Sequence, residues 1–211
     1  MENKGENKNT NENGMFNWTH DVPKNTKQHF LNALQLLQHH PNPRILEIGT
    51  FTGVSIIEML KVLPNASGTV IDNWKLDLNE LTTCKKYSSN FNTDIRGVFL
   101  QNIKMAGVDK RIEILEGNSC DILRNLLRDK RRFDFIYVDG SHQCLDVLTD
   151  LILSWELLNK NGIFGIDDVA WTGYGNDWNI PLPAVTHFTA KYQNEFVMVS
   201  GHYRLFLRKT V

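Results

Sequence analysis

Arg44-Ile45-Leu46-Glu47-Ile48-Gly49-Thr50-Phe51-Thr52-Gly53 is an apolar run of strand length that breaks at a pair of glycines and gives way to the helical stretch Val54–Val62. A buried strand feeding a glycine turn and then a helix is the opening unit of a βαβ fold. Glycines at such a turn let backbone approach a ligand closely, and the helix N-terminus that follows favours a negative group. The spacing is E-x-G-x-x-x-G, from Glu47 through Gly49 to Gly53. Dinucleotide sites use G-x-G-x-x-G, in which close glycines accommodate a pyrophosphate, so a nicotinamide dehydrogenase loses ground here.

Outward from this turn, short apolar runs alternate with helical stretches. The expected strands are Arg44–Ile48, Thr69–Asp72, Ile112–Glu116, Phe133–Asp139 and Ile163–Ile166. Between them lie helical stretches near Val54–Val62, Leu76–Asn90, Phe99–Ala106, Ile122–Leu127 and His142–Leu158, the last with Leu145, Leu148, Ile152, Trp155 and Leu158 on one face. An amphipathic helix runs ahead of the first strand from about Thr26, carrying Phe30, Ala33, Leu34 and Leu37 until His40 and the breakers Pro41 and Pro43. At the other end, Phe196–Val199 and Tyr203–Leu207 flank Ser200-Gly201-His202 and read as an antiparallel hairpin. The fold class is therefore α/β: a Rossmann-like, doubly wound, mostly parallel sheet with a C-terminal antiparallel hairpin and helices on both faces.

The 211 residues, 41% hydrophobic, supply one core and little for a second. Residues 1–22 are dominated by Asn, Glu and Lys and cannot offset the entropy of ordering, so they read as a disordered tail ahead of one domain over 23–211. A net charge of −1 gives no broad positive field, which argues against nucleic acid and for a small-molecule partner. The basic run Arg128, Lys130, Arg131 and Arg132 sits where a solvated helix-to-strand loop is expected. Cys84, Cys120 and Cys144 are far apart, odd in number and without CxxC spacing, as suits reduced thiols. No segment has the apolar length of a signal peptide core or a membrane span, so a cytoplasmic protein without membrane contact is expected.

Acids terminate three of the strands. Asp72 ends Val70-Ile71-Asp72, Asp139 ends the run from Phe133, and Asp167 with Asp168 end the run from Ile163. Ligands of open parallel sheets bind beyond the carboxyl ends of the strands, where Asp72 can accept two ribose hydroxyls. Asp139, Asp167 and Asp168 would repel one another unless a cation lies between them, and hard oxygen ligands in small number suit Mg²⁺. Adjacent residues on a strand point to opposite faces, so Asp167 and Asp168 can share a metal only where the strand has turned. Each acid has a structural alternative as the cap of the next helix or turn. His142, three residues beyond Asp139, is placed for general-base work, although a histidine at a helix start is commonly surface. The segment Trp171–Trp178 after the acids reads either as a lid or as an ordinary loop.

Taken together, LEIGTFTGVS, VID, RIEILEGNS, FIYVDGSH and GIFGIDDVAW resemble the metal-dependent class I O-methyltransferases, above all the macrocin O-methyltransferase type that acts on sugars, and more distantly catechol O-methyltransferase. The resemblance runs from about Arg44 to Arg208 and is most specific at VDGSH and IDD. It implies S-adenosylmethionine as cofactor, with Glu47, Gly49, Phe51, Gly53 and Ser55 around its methionine portion, Asp72 on the ribose and Asn118 with Ser119 at the adenine edge. Asp139 borders the cofactor too, and with Asp167 and Asp168 it matches ligands for Mg²⁺ or Mn²⁺. His142 matches the base of some sugar-specific members, where catechol enzymes carry a lysine. Many relatives have an acid at the position of Asn118, which can still accept through its carbonyl oxygen. The implied activity is metal-assisted O-methyl transfer to a small-molecule hydroxyl, with a sugar or glycoside as the expected acceptor. A catechol or phenolic acceptor, or a non-catalytic nucleoside-binding interaction protein, are the alternatives, and homo-oligomerisation is left open.

Overall fold

The computed structural model describes residues 24–76, 94–172, 178–201 and 203–211, with side chains from residue 27 onward. The expected tail over 1–22 lies outside the described residues, as does the expected helix over Leu76–Asn90 beyond Leu76 itself. The described chain runs α1 (Lys24–Gln35), β1 (Arg44–Ile48), α2 (Val54–Val62), β2 (Ser67–Asp72), α3 (Ile95–Met105), β3 (Ile112–Glu116), α4 (Ser119–Arg128) and β4 (Phe133–Val138). It continues as α5 (Cys144–Leu157), β5 (Leu158–Ile166), α6 (Pro181–Lys191), β6 (Phe196–Gly201) and β7 (Leu205–Lys209).

The seven strands form one sheet in the order β3-β2-β1-β4-β5-β7-β6. The first five are parallel, and β7 returns antiparallel to both β5 and β6. This is the doubly wound sheet with an antiparallel hairpin that the alternating pattern predicts. From β1 the chain winds outward to β3, then crosses back to β4 on the other side of β1, so the crevice between β1 and β4 opens where ligands of such sheets bind.

Period-two alternation sorts the strand residues into two cores. Ile45, Val70, Phe135, Tyr137 and Ile163 pack under α1, α2 and α3 on one face. Leu46, Ile48, Ile136, Val138, Phe164 and Ile166 pack under α4, α5 and α6 on the other. All six residues of β4 are buried. Its one acid, Asp134, is satisfied at the sheet's opposite edge by the Arg44 N–H at 2.8 Å and by Asn159 Nδ2 at 2.7 Å.

The sequence reading needs three local corrections. Helix α5 begins at Cys144, which leaves His142 in the loop, and its buried face carries Val147, Asp150, Leu151, Ser154, Trp155 and Leu157. Leu145 and Ile152, expected on that face, are 75% and 40% exposed. The apolar residues alone mislead because two polar ones, Asp150 and Ser154, are turned inward. Second, α6 is absent from the sequence reading, since Pro181-Leu182-Pro183 looks like a breaker. Proline is well tolerated in a first helical turn, and Ala184, Val185 and Phe188 then bury against the sheet. Third, β6 continues through Gly201 and β7 starts only at Leu205, so Tyr203 and Arg204 stand in the connection.

Candidate active site

The turn after β1 is held from below by Glu47. This side chain is 0% exposed and accepts hydrogen bonds from Thr50 Oγ1 at 2.6 Å and from the Ser55 hydroxyl. Burial pushes its carboxyl up to about 7 despite those two bonds, and the carboxylates of Asp72 and Asp167 add to the rise. Glu47 and Ser55 therefore grip each other across the turn. Gly49 has φ +83°, and a Cβ there would lie 2.1 Å from the Asp139 carbonyl oxygen, so the strand ends of β1 and β4 touch at a point only glycine fits. Gly53, the N-cap of α2, has φ +85° and packs against the Phe99 ring.

Asp72 ends β2 facing this turn. One oxygen accepts the Phe51 N–H at 2.7 Å and the other the Trp74 N–H at 2.6 Å, while Trp74 Nε1 donates to the Phe51 carbonyl at 2.9 Å. Burial raises the Asp72 carboxyl against these bonds. The acid fixes the left-handed Phe51, at φ +49°, and its two oxygens are held among the backbone N–H groups of Thr50, Phe51, Asn73 and Trp74. Asn118 is the exposed N-cap of α4, its side chain making no capping bond, and Ser119 opens that helix.

The ends of β4 and β5 carry the remaining acids. Asp139 donates its N–H to the Ile48 carbonyl at 2.8 Å, and the Asp167 N–H binds the Val138 carbonyl at 3.0 Å, so ladder bonding carries on one residue past each strand. At Asp168 the backbone turns left-handed, φ +51°. That turn sends the two adjacent carboxylates different ways. Asp167, 8% exposed, points inward to the Tyr137 hydroxyl and to Arg204 Nε at 2.9 Å. Asp168 points toward the loop after β4, with His142 Nε2 2.8 Å from its Oδ2.

Among the described residues, Asp139, His142 and Asp168 each offer one ligand atom, all within 4.8 Å of one another. The His142 ring also lies against Trp171, centroids 4.6 Å apart. Burial, then the charges of Asp167 and Asp168, push the Asp139 carboxyl well above its ordinary range. Burial likewise lifts Asp168, but the hydrogen bond and charge of His142, with a hydrogen bond from the Tyr203 hydroxyl and the charge of Arg204, outweigh it and hold that carboxyl low. The structure thus brings Asp139, Asp168 and His142 together and sets Asp167 behind them. Tyr137, Tyr203 and Arg204 were missed from sequence: Tyr137 is indistinguishable there from core, and nothing in the spacing ties a hairpin arginine to an acid 37 residues earlier.

Residues 46–169 match the methyltransferase domain family. Caffeoyl-CoA O-methyltransferase 1 of Eucalyptus globulus is 32% identical over 172 residues, 80% of this chain and 60% of that protein. The O-methyltransferase TomG from Streptomyces achromogenes, in complex with SAM, shares the fold with a TM-score of 0.63 at 20% identity, over 91% of this chain and 83% of that one. The MycE methyltransferase from the mycinamycin biosynthetic pathway, in complex with Mg and SAH, does so with a TM-score of 0.58 at 18% identity, over 92% of this chain and 51% of that one. The chain spans 50–62% of the length of the curated relatives it matches. No helix among the described residues is long and apolar enough to cross a membrane. Because the family match covers more than half the chain and runs from β1 through the acids beyond β5, the chain belongs to the methyltransferase domain family.

Proposed function

We propose that the protein is an S-adenosylmethionine-dependent O-methyltransferase, assisted by Mg²⁺ or Mn²⁺, that methylates a hydroxyl of a small molecule, a sugar or glycoside being the preferred acceptor. The observation that carries this reading is the convergence of Asp139, His142 and Asp168 within 4.8 Å, directly across Gly49 from the turn after β1. The donor set fits a hard divalent cation: the Asp139 and Asp168 carboxylates converge, and burial first, then the charges of Asp167 and Asp168, raise the Asp139 carboxyl, a penalty that a cation would relieve. Asp139 and Asp168 would hold the ion. Asp167, engaged by Arg204, supports them from behind.

When bound, such an ion acts as a Lewis acid that lowers the pKa of an acceptor hydroxyl. His142 takes up the hydroxyl proton on its imidazole, and Asp168, 2.8 Å from Nε2, orients the ring and stabilises the imidazolium. The acceptor oxygen bonds to the methyl carbon as the carbon–sulfur bond breaks, its electrons passing to sulfur to leave S-adenosylhomocysteine. Asp72 would take the ribose hydroxyls, Asn118 and Ser119 the adenine edge, and the turn from Gly49 to Gly53 the methionine end. Their contribution is position, worth roughly 7–11 kcal/mol in favourable cases.

A phenolic acceptor is the second reading, supported by the likeness to proteins named caffeoyl-CoA O-methyltransferase. His142 in place of a lysine and the likeness to MycE, also seen bound to mycinamycin VI, support the sugar reading. The free thiols of Cys120 and Cys144 suit a reducing compartment such as the cytoplasm. Calorimetric titration with S-adenosylhomocysteine and with NAD, with and without Mg²⁺, tests the cofactor. Binding of the former alone is expected, and binding of NAD alone overturns the reading. Transfer of a labelled methyl group to a panel of glycosides and catechols then decides the acceptor.

A further inference from the structure

Four of the parallel strands begin around one cavity of about 330 Å³, at the edge of the sheet opposite the acids. Arg44 at the head of β1, Ser67 at the head of β2, Lys110, Arg111 and Glu113 around the head of β3, and Arg131 just ahead of β4 line it. The volume lies within the roughly 300–1,000 Å³ usual for small-molecule sites. Four cations and one acid therefore share a small space in a chain whose net charge is −1.

Only part of this charge is neutralised. Arg131 Nη2 lies 2.7 Å from Glu113 Oε2 and 3.3 Å from Thr69 Oγ1, and its guanidinium stands 5.6 Å from the centre of the Phe133 ring, so that wall is fixed and electrically balanced. Arg111 is equally fixed but not balanced. Its Nη1 and Nη2 donate to the carbonyls of Pro64 at 2.8 Å and Leu60 at 2.9 Å, around the end of α2, and no carboxylate joins them. The dipole of α2 offsets roughly half a charge there. Arg44 meets Asp134 through its backbone N–H, which leaves its guanidinium uncommitted. Among the described residues neither that guanidinium nor the Lys110 ammonium pairs with an acid.

The cavity thus keeps a surplus of more than two positive charges. One phosphate brings roughly −1.5 to −2 near neutral pH, so two linked phosphates match the surplus more closely. Guanidinium forks and an ammonium are the donors that hold phosphate oxygens, and the Ser67 hydroxyl adds another. None of Asp72, Asp139, His142 and Asp168 lines this cavity, so it is separate from the candidate active site.

We propose that this cavity binds a diphosphate group, free or at the end of a nucleotide, through Arg44, Lys110 and Arg111. Calorimetric titration of the full chain with inorganic pyrophosphate tests it, on protein freed of divalent metal and with S-adenosylhomocysteine present to occupy the opposite edge of the sheet. The wild type is expected to take up about one equivalent, with orthophosphate at least about tenfold weaker, the loss that one missing charge-assisted contact implies. Arg44→Gln preserves the backbone bond to Asp134 and Lys110→Gln alters an exposed side chain, so both should fold. Each should weaken pyrophosphate about tenfold and leave S-adenosylhomocysteine affinity unchanged. Lys191→Gln makes the same change of charge at an exposed position of α6 that does not line the cavity, and should bind as the wild type does. Titration with ADP locates the source: affinity matching or exceeding that of pyrophosphate assigns a diphosphate carried by a nucleotide, and weaker binding assigns the free ion. A wild type that takes up no pyrophosphate, one that binds orthophosphate as tightly, Arg44 and Lys110 variants that lose no affinity, or a Lys191 variant that loses as much as they do would each overturn the proposal. Failure to bind S-adenosylhomocysteine with pyrophosphate uptake intact would instead strike the cofactor reading and leave this one standing.

Discussion

Arg204 Nε donates to both carboxylate oxygens of Asp167, at 2.9 and 3.0 Å, and joins the hairpin connection to the acid that ends β5. The pair is nearly dry, with side-chain exposures of 16% for Arg204 and 5% for Asp167. Asp167 gains a counter-charge, and the neighbouring Asp168 is left to face Asp139 and His142. The hairpin is therefore part of the site's electrostatics as well as an edge of the sheet.

Removing one partner of a buried ion pair leaves an uncompensated charge. Arg204→Ala should cost about 3 kcal/mol in denaturant unfolding, and adding Asp167→Asn should restore much of that loss. A double-mutant cycle measures it. A single variant within about 0.5 kcal/mol of wild type, the usual spread for surface changes, would show that the pair is not structural.

Two glycines with positive φ should respond very differently to the same substitution. At Gly107, φ +68°, an added Cβ meets nothing within 4 Å, so Gly107→Ala should cost only the left-handed strain of about 1–2 kcal/mol. At Gly49 the Cβ would stand 2.4 Å from the Gly140 Cα, so Gly49→Ala must move β1 away from the loop after β4. Its loss should be clearly larger, and S-adenosylhomocysteine affinity should fall with it. Equal melting temperatures for the two variants would contradict the close approach.

Glu47 should make stability depend on pH in a definite sense. Its carboxyl is raised from 4.5 to about 7 in the fold, with the carboxylates of Asp72 and Asp167 facing it. Below about pH 4.5 the acid is protonated folded and unfolded, and its burial is not penalised. As pH rises the unfolded chain ionises first, so stability falls progressively until about pH 7 and is flat above, a loss of roughly 3 kcal/mol by proton linkage. Glu47→Gln should remove that slope. Urea melts of both proteins at pH 5 and pH 7.5 check it, and parallel changes in the two would count against a raised Glu47.

The fold was largely legible because strands leave short runs rich in β-branched and aliphatic residues: Arg44–Ile48, buried from Ile45 on, and Ile112–Glu116, an edge strand that mixes Ile and Leu with Glu, both match the observed strands to the residue. What escaped depends on partners distant in sequence. Leu145 and Ile152 look like core until Asp150 and Ser154 are found inside, satisfied by Ser119 and by the helix's own carbonyls. The acids were legible as a group at the sheet's carboxyl edge. Their division of labour was not, because it turns on one left-handed residue, Asp168, and on an arginine in a hairpin whose boundaries local pattern misplaces.

That division separates two acids with identical chemistry and adjacent numbers. If Asp168 faces the ion and Asp167 faces Arg204, neutralising each should affect metal binding unequally. Asp168→Asn removes a ligand and also the partner of His142 Nε2, so Mn²⁺ affinity by calorimetry should drop by the 10–100-fold or more typical of ligand and supporting-residue losses. Asp167→Asn keeps the Asp139 and Asp168 oxygens in place and frees Arg204, and its main effect should appear in unfolding, with a smaller change in Mn²⁺ affinity. Chelation by EDTA should abolish methyl transfer in the wild type while S-adenosylhomocysteine still binds, since none of Glu47, Asp72, Asn118 and Ser119 belongs to the cluster within 4.8 Å. If Asp167→Asn instead proves the more damaging to metal affinity, the ion sits on the inner acid, and Arg204 must swing away to admit it.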